Sequence, residues 1–276
     1  MDHDHHDHDG GLAIDLPRMM ERRRALQLLA GVGLVALVGC GSGDDTASTS
    51  TTSTANATGT SARTDSGGDC APIPTETAGP FPGDGSNGPD ALSESGVVRR
   101  DITSSFGSSD TVAEGVPLTV NLRVADTAKD CAAMAGAAVY VWHCDREGRY
   151  SMYSDGVTNE NYLRGVQETD ADGRATFASI FPAAYPGRWP HIHFEVYASL
   201  DDATGGGEPV LISQLALPEA TCTRVYATDG YEQSVSNMAR TSLDRDMVFA
   251  DGSTQQVATA SGSVDAGITA ELTVPV

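Results

Sequence analysis

Two histidines stand one residue apart in the run PHIH, at His191 and His193. Residues two apart on a helix point about 200° away from each other, whereas on a strand they share a face about 6.6 Å apart at Cα. Only a strand would let both imidazoles reach one ion at about 2 Å. The same pair could equally be buried core histidines bonded to their neighbours, and H-x-H alone does not decide. Four of the seven histidines fall in the N-terminal run HDHHDHD, so a three-histidine zinc site would also need His143, in VYVWHCD. Glu195 shares the strand face of the pair, but its distance beyond His193 suits a solvent-facing residue or one that supports a ligand.

Tyrosine is a further source of donors. Tyr185 precedes His191 across a Pro-Gly turn, and Tyr150 follows the His143 segment in EGRYSMY. A phenol, with pKa about 10, ligates as phenolate. A strongly charged ferric ion holds it deprotonated, whereas zinc has little need of it. Two tyrosines plus two histidines would make a non-haem Fe(III) site. The alternative is that both rings pack and hydrogen-bond by their tips.

The segments that must position these residues look like short strands. PLTVNLRVAD alternates Leu118, Val120, Leu122 and Val124 with polar neighbours, the period of a half-buried strand. AAVYVWHCD (137–145), a run through Ala175 and Phe177, HIHFEVYAS, VLISQLALP and one strand in the tail SGSVDAGITAELTVPV complete the set. Turn signals recur between them and no long capped amphipathic helix is evident, which predicts an all-β, antiparallel β-sandwich.

Composition divides the chain into three. Residues 1–40 hold the His/Asp tail, the arginines Arg22, Arg23 and Arg24, an apolar stretch from Ala25 to Val38, and LVGC ending at Cys40. That is the layout of an export signal, too short in its apolar part for a membrane span of about 20 residues. The arginines resemble a twin-arginine signal and LVGC a lipoprotein box, with an uncleaved anchor helix as the alternative. Residues 41–69 are rich in Ser, Thr and Gly and nearly free of large apolar side chains, a disordered tether by composition. Residues 70–276 are the expected domain. The expected location is exported: a cell-surface or periplasmic lipoprotein touching the membrane only through a lipid at Cys40.

A formal charge of −21 with 17 basic residues argues against nucleic-acid partners, since phosphate binding needs clustered Lys and Arg. Cys70, Cys131, Cys144 and Cys222 are an even number in an exported chain, so two disulfides are expected, in one of three connectivities.

The blocks TETAGPFPG, AGAAVYVWHCDREGRYSMY, NYLRGVQETDADGRATFASIFPAAYPGRWPHIHF and LISQLALPE occur in that order between Thr75 and Glu219. Together they resemble the intradiol ring-cleavage dioxygenases, the family of catechol 1,2-dioxygenase and protocatechuate 3,4-dioxygenase, in its compact secreted branch. The resemblance implies that family's catalytic-domain sandwich, a non-haem Fe(III) cofactor, and a catechol-type substrate cleaved with O2 to cis,cis-muconate products. It implies Tyr150, Tyr185, His191 and His193 as metal ligands, with Tyr185 the one that leaves when substrate chelates. It implies Arg188 over the substrate ring and Gln214 in the pocket. Tyr162, in YLRG, falls outside the G-x-Y-S block and is expected only to pack. A rival reading from another class is a non-catalytic surface sandwich, transthyretin-like or carbohydrate-binding, with a residual metal site.

Overall fold

The computed structural model describes residues 70–276. The tail, the signal with Cys40 and the tether lie outside the described residues. The strands are β1 (Pro117–Asp126), β2 (Ala132–Ala133), β3 (Ala138–Trp142), β4 (Arg164–Glu168), β5 (Arg174–Ile180) and β6 (His191–Tyr197). Then come α1 (Leu200–Thr204), β7 (Leu211–Ala216), α2 (Glu219–Tyr226), α3 (Glu232–Met238), β8 (Thr259–Ser263) and β9 (Gly267–Pro275).

The alternation of β1 is met in its burial: Leu118, Val120, Leu122 and Val124 are buried, with half-buried residues between them. β1 pairs antiparallel with β2 and β5 and parallel with β9, which pairs antiparallel with β8. This sheet is therefore mixed, where a purely antiparallel fold was expected. The tail folds into two strands because Gly267, at φ 90°, closes a hairpin between them.

The second sheet has the order β4-β3-β6-β7, antiparallel throughout. Val139, Val141, Ile192, Phe194 and Val196 join Leu118, Val120, Leu122 and Phe177 of the first sheet in one apolar cluster. The other face of the second sheet is covered too. Leu92 and Val97, with Ala78 and Phe81, pack there against Tyr140, Trp142 and Tyr150. Every residue of β6 is consequently buried, and Glu195, expected to face solvent or support a ligand, is fully enclosed with its Oε2 accepting from the Tyr197 hydroxyl at 2.7 Å.

The covering segment is fastened at several points. The Ile73 amide donates to the Pro275 carbonyl at 3.0 Å, and the Glu76 amide to Ile212 at 2.8 Å. A disulfide joins Cys70 to Cys131. It is the one disulfide among the described residues: Cys144 and Cys222 are free buried thiols, correcting the expectation of two. Their side chains are spent in separate packing, Cys144 against the Ala183 carbonyl and Cys222 in the core cluster.

Candidate metal centre

Strand register creates the first part of the site. His193 lies between Trp142 on β3 and Gln214 on β7, while Trp142 in turn faces Arg164 on β4. Arg164, Trp142, His193 and Gln214 thus form one row across the second sheet. Trp142 stacks on the His193 imidazole, with centroids 4.9 Å apart and planes 9° from parallel. His191 lies two residues back on the same face, as the strand reading required.

Turns supply the tyrosines. After β3 the chain bends at Asp145, whose carboxylate accepts from the amides of Glu147 and Arg149 at 3.0 and 2.9 Å. Tyr150 follows, its amide donating to Ser154 Oγ at 2.9 Å. Tyr185 is held from behind by the two helices. Ser234 Oγ accepts from the Ala184 amide at 3.0 Å and Asn237 donates to the Ala184 carbonyl at 2.9 Å. The Tyr231 and Tyr226 hydroxyls donate to the Phe181 and Pro182 carbonyls at 2.7 and 3.0 Å.

The four donor atoms converge. Tyr150 Oη is 3.4 Å from Tyr185 Oη, which is 3.1 Å from His191 Nε2, which is 3.1 Å from His193 Nε2. Tyr150, His191 and His193 are buried and Tyr185 is half-buried. His191 Nδ1 donates to the Trp189 carbonyl, so its Nε2 presents a lone pair. That lone pair is also approached by Arg188 Nη1 at 3.3 Å, giving it three polar neighbours. His193 Nδ1 has no partner.

Burial sets the protonation states. It drives the pKa of both His191 and His193 well below the ordinary imidazole value, with Arg188 adding to the effect, so both are neutral. It pushes Tyr185 up to about 12 and Tyr150 well above the ordinary phenol. A phenolate pair here needs a strong local positive charge.

These residues fit a hard trivalent ion. Ligand atoms held at about 2 Å around a four-coordinate centre are separated by about 3.3 Å, close to the spacings observed. Among the described residues no three His, Cys, Asp or Glu side chains gather, and the phenols of Tyr150 and Tyr185 are the oxygen donors beside the two imidazoles. His143 takes no part. Its Nδ1 donates to the Cys144 carbonyl at 2.8 Å and its Nε2 accepts from Ser179 at 2.7 Å. Tyr162 also stands apart, its hydroxyl donating to Asp145 at 3.1 Å.

Known proteins resemble this chain in sequence and fold. A family model described as "Dioxygenase" matches residues 87–203, a span holding both tyrosines, Arg188 and both histidines. The solved intradiol ring-cleavage dioxygenase from Tetranychus urticae superposes with a TM-score of 0.60 at 25% identity, over 75% of this chain and 96% of that one. The chain is similar in sequence and fold to the intradiol ring-cleavage dioxygenases. A curated relative, hydroxyquinol 1,2-dioxygenase of Rhizobium sp. (strain MTP-10005), is 29% identical over 140 residues. That match spans 44% of this chain and 44% of the relative, so the chain matches less than half of the curated protein's length.

Two further groups complete the site. Gln214, fully buried, donates from Nε2 to the Thr77 carbonyl at 2.8 Å and accepts at Oε1 from Arg188 Nη2 at 2.7 Å. Asp246 was not legible in the sequence. It lies in SLDRDMVF with no motif around it, one of 38 acidic residues, yet it is fully buried and paired with Arg188 at 2.9 Å.

Proposed function

We propose that the protein is a non-haem Fe(III)-dependent intradiol dioxygenase that opens catechol-type diols between the two hydroxyl-bearing carbons, using O2, to cis,cis-muconate products. The observation that carries this is the convergence of two phenols and two imidazoles at 3.1–3.4 Å beside a buried arginine. A ferric ion held by Tyr150, Tyr185, His191 and His193 would supply Lewis-acid binding of the diol and an electronic route to O2. The chain's own residues then divide the work. Tyr185 Oη, on the one half-buried side chain of the four, takes the proton of a diol hydroxyl, as its raised pKa favours. Tyr150, enclosed and packed on Phe81 at 5.1 Å, stays in place. Arg188 Nη1 supplies fixed positive charge where the ring becomes anionic, and Gln214 ties that arginine to β7. Both oxygen atoms end in the two carboxylates of the opened ring.

In this reading residues 70–276 form the catalytic sandwich, displayed outside the cell on the 41–69 tether. Export is by the twin-arginine route and the lipid sits at Cys40. Twin-arginine export suits a protein that folds around iron before leaving the cytoplasm.

The test is the iron-loaded protein. It should be red-brown from phenolate-to-iron charge transfer and should consume O2 with catechols, yielding ring-opened diacids. Tyr150→Phe should shift or abolish the colour, and Tyr162→Phe should not. A colourless protein that holds zinc, or takes no iron, would leave the surface binding sandwich as the better account.

A further inference from the structure

We infer that Asp246 is a positioning residue that aims the Arg188 guanidinium, so that one N–H edge alone is left for the reacting ring. The role of that edge rests on the dioxygenase reading; the aiming itself does not.

Arg188 is buried, and two of its three nitrogens are anchored. Nε donates to Asp246 Oδ2 at 2.9 Å and Nη2 to Gln214 Oε1 at 2.7 Å. Nη1 remains, directed at His191 Nε2 at 3.3 Å. The planar fork fixes these three directions relative to one another, so two anchors determine the third. Asp246 is itself rigid. Its Oδ2 also accepts from the Trp189 amide at 2.6 Å, and its Oδ1 accepts from the amides of Val248 and Phe249 at 2.8 and 3.3 Å. The same turn brings the Phe249 ring 6.0 Å from the guanidinium, closing its other side. One carboxylate therefore binds the turn after residue 245 to the strand entry at Trp189. An asparagine cannot copy it, because it has one acceptor oxygen where two are in use.

A double-mutant cycle separates aiming from mere support. In Asp246→Asn, kcat should fall about 100-fold with KM for catechol little changed and the ferric colour kept, as expected for a misplaced group. In an Arg188→Ala background the same change should cost nothing further. Equal losses in both backgrounds, or an unchanged kcat in Asp246→Asn, would overturn the inference. Arg188→Lys keeps the charge without the fork and should be as slow as Arg188→Ala; turnover near wild type would also overturn it.

A readout without iron or turnover keeps the two readings apart. In the iron-free full-length protein, hydrogen exchange at Arg188 Nε should be slow, and fast in Asp246→Asn. Protection that survives in Asp246→Asn refutes the aiming. A wild type that is protected at Arg188 Nε but whose iron-loaded form is inert toward catechols refutes the proposed activity instead.

Discussion

Gly79 presses its bare Cα against His193: a Cβ at that position would lie 3.2 Å from the imidazole Cε1. The residue is also at φ 74°, where a side chain is strained, and its amide donates to Thr77 Oγ1 at 3.0 Å. Gly79→Ala should therefore lower stability by about 1–2 kcal/mol. In the proposed ferric site it should also speed iron loss to a chelator, because His193 must give way. Denaturant unfolding and the decay of the visible band measure the two; wild-type values in both would refute the close approach.

Arg164 clamps the covering segment to the row that contains His193. It is buried, and it donates to the carbonyls of Phe81, Pro82 and Ser151 at 3.0, 2.6 and 2.9 Å, to Ser151 Oγ at 3.1 Å and to the Tyr140 hydroxyl at 3.1 Å. Arg164→Met strands the Phe81 and Ser151 carbonyls, each costing about 1–3 kcal/mol if left dry, while Pro82 keeps the Tyr140 hydroxyl. A loss of at least about 3 kcal/mol in urea unfolding is expected, with Arg164→Lys intermediate. A loss below 1 kcal/mol would mean water replaces the arginine at little cost.

The Cys70–Cys131 bridge closes a loop of 61 residues in sequence separation. Chain entropy alone gives such a loop about 4 kcal/mol. Reduction, or Cys70→Ser with Cys131→Ser, should lower the melting temperature and expose the segment to protease near Ile73. Unchanged melting under reductant would show that the bonds to Ile212 and Pro275 hold the segment without help.

His143 predicts an acid sensitivity that is separate from metal binding. Burial drives its pKa down to about 4, against the opposing pull of the Cys144 carbonyl. In the unfolded chain it takes a proton near pH 6.5, so stability is lost as pH falls from about 6.5 toward 4. Unfolding of the iron-free protein across that window should show the decline. His143→Gln, which retains a partner for Ser179, should flatten part of it.

The sequence made legible what depends on local period. The 2-residue alternation located β1, short runs between turn signals located β3, β5, β6 and β7, and the strand reading placed His191 and His193 on one face. It stopped short where the structure is set by distant partners. The β4 strand, RGVQE, carries Arg164 and a glycine, and it is a strand because β3 pairs with it. The helices α2 and α3 are short, and their work is to hold the carbonyls before Tyr185. Neither strong periodicity nor a side-chain cap announces them. Tyr150, Tyr185, Arg188, His191, His193 and Gln214 were found through the family's motif blocks, and the fold brings all six together. Asp246 reaches the site from a turn that no short-range pattern ties to Arg188.

The parallel pairing of β1 with β9 bears on how the domain is made. Eight paired positions join Leu118–Ala125 to Ile268–Pro275, about 150 residues apart in the chain. A central ladder of this sheet thus has no partner until residue 275 has been synthesised, and the Ile73 amide waits for the same residue. Folding waits on this pairing and, with contacts this distant in sequence, is slow. Until that closure the buried face of β1 is open, so newly made chains depend on protection from aggregation during this interval.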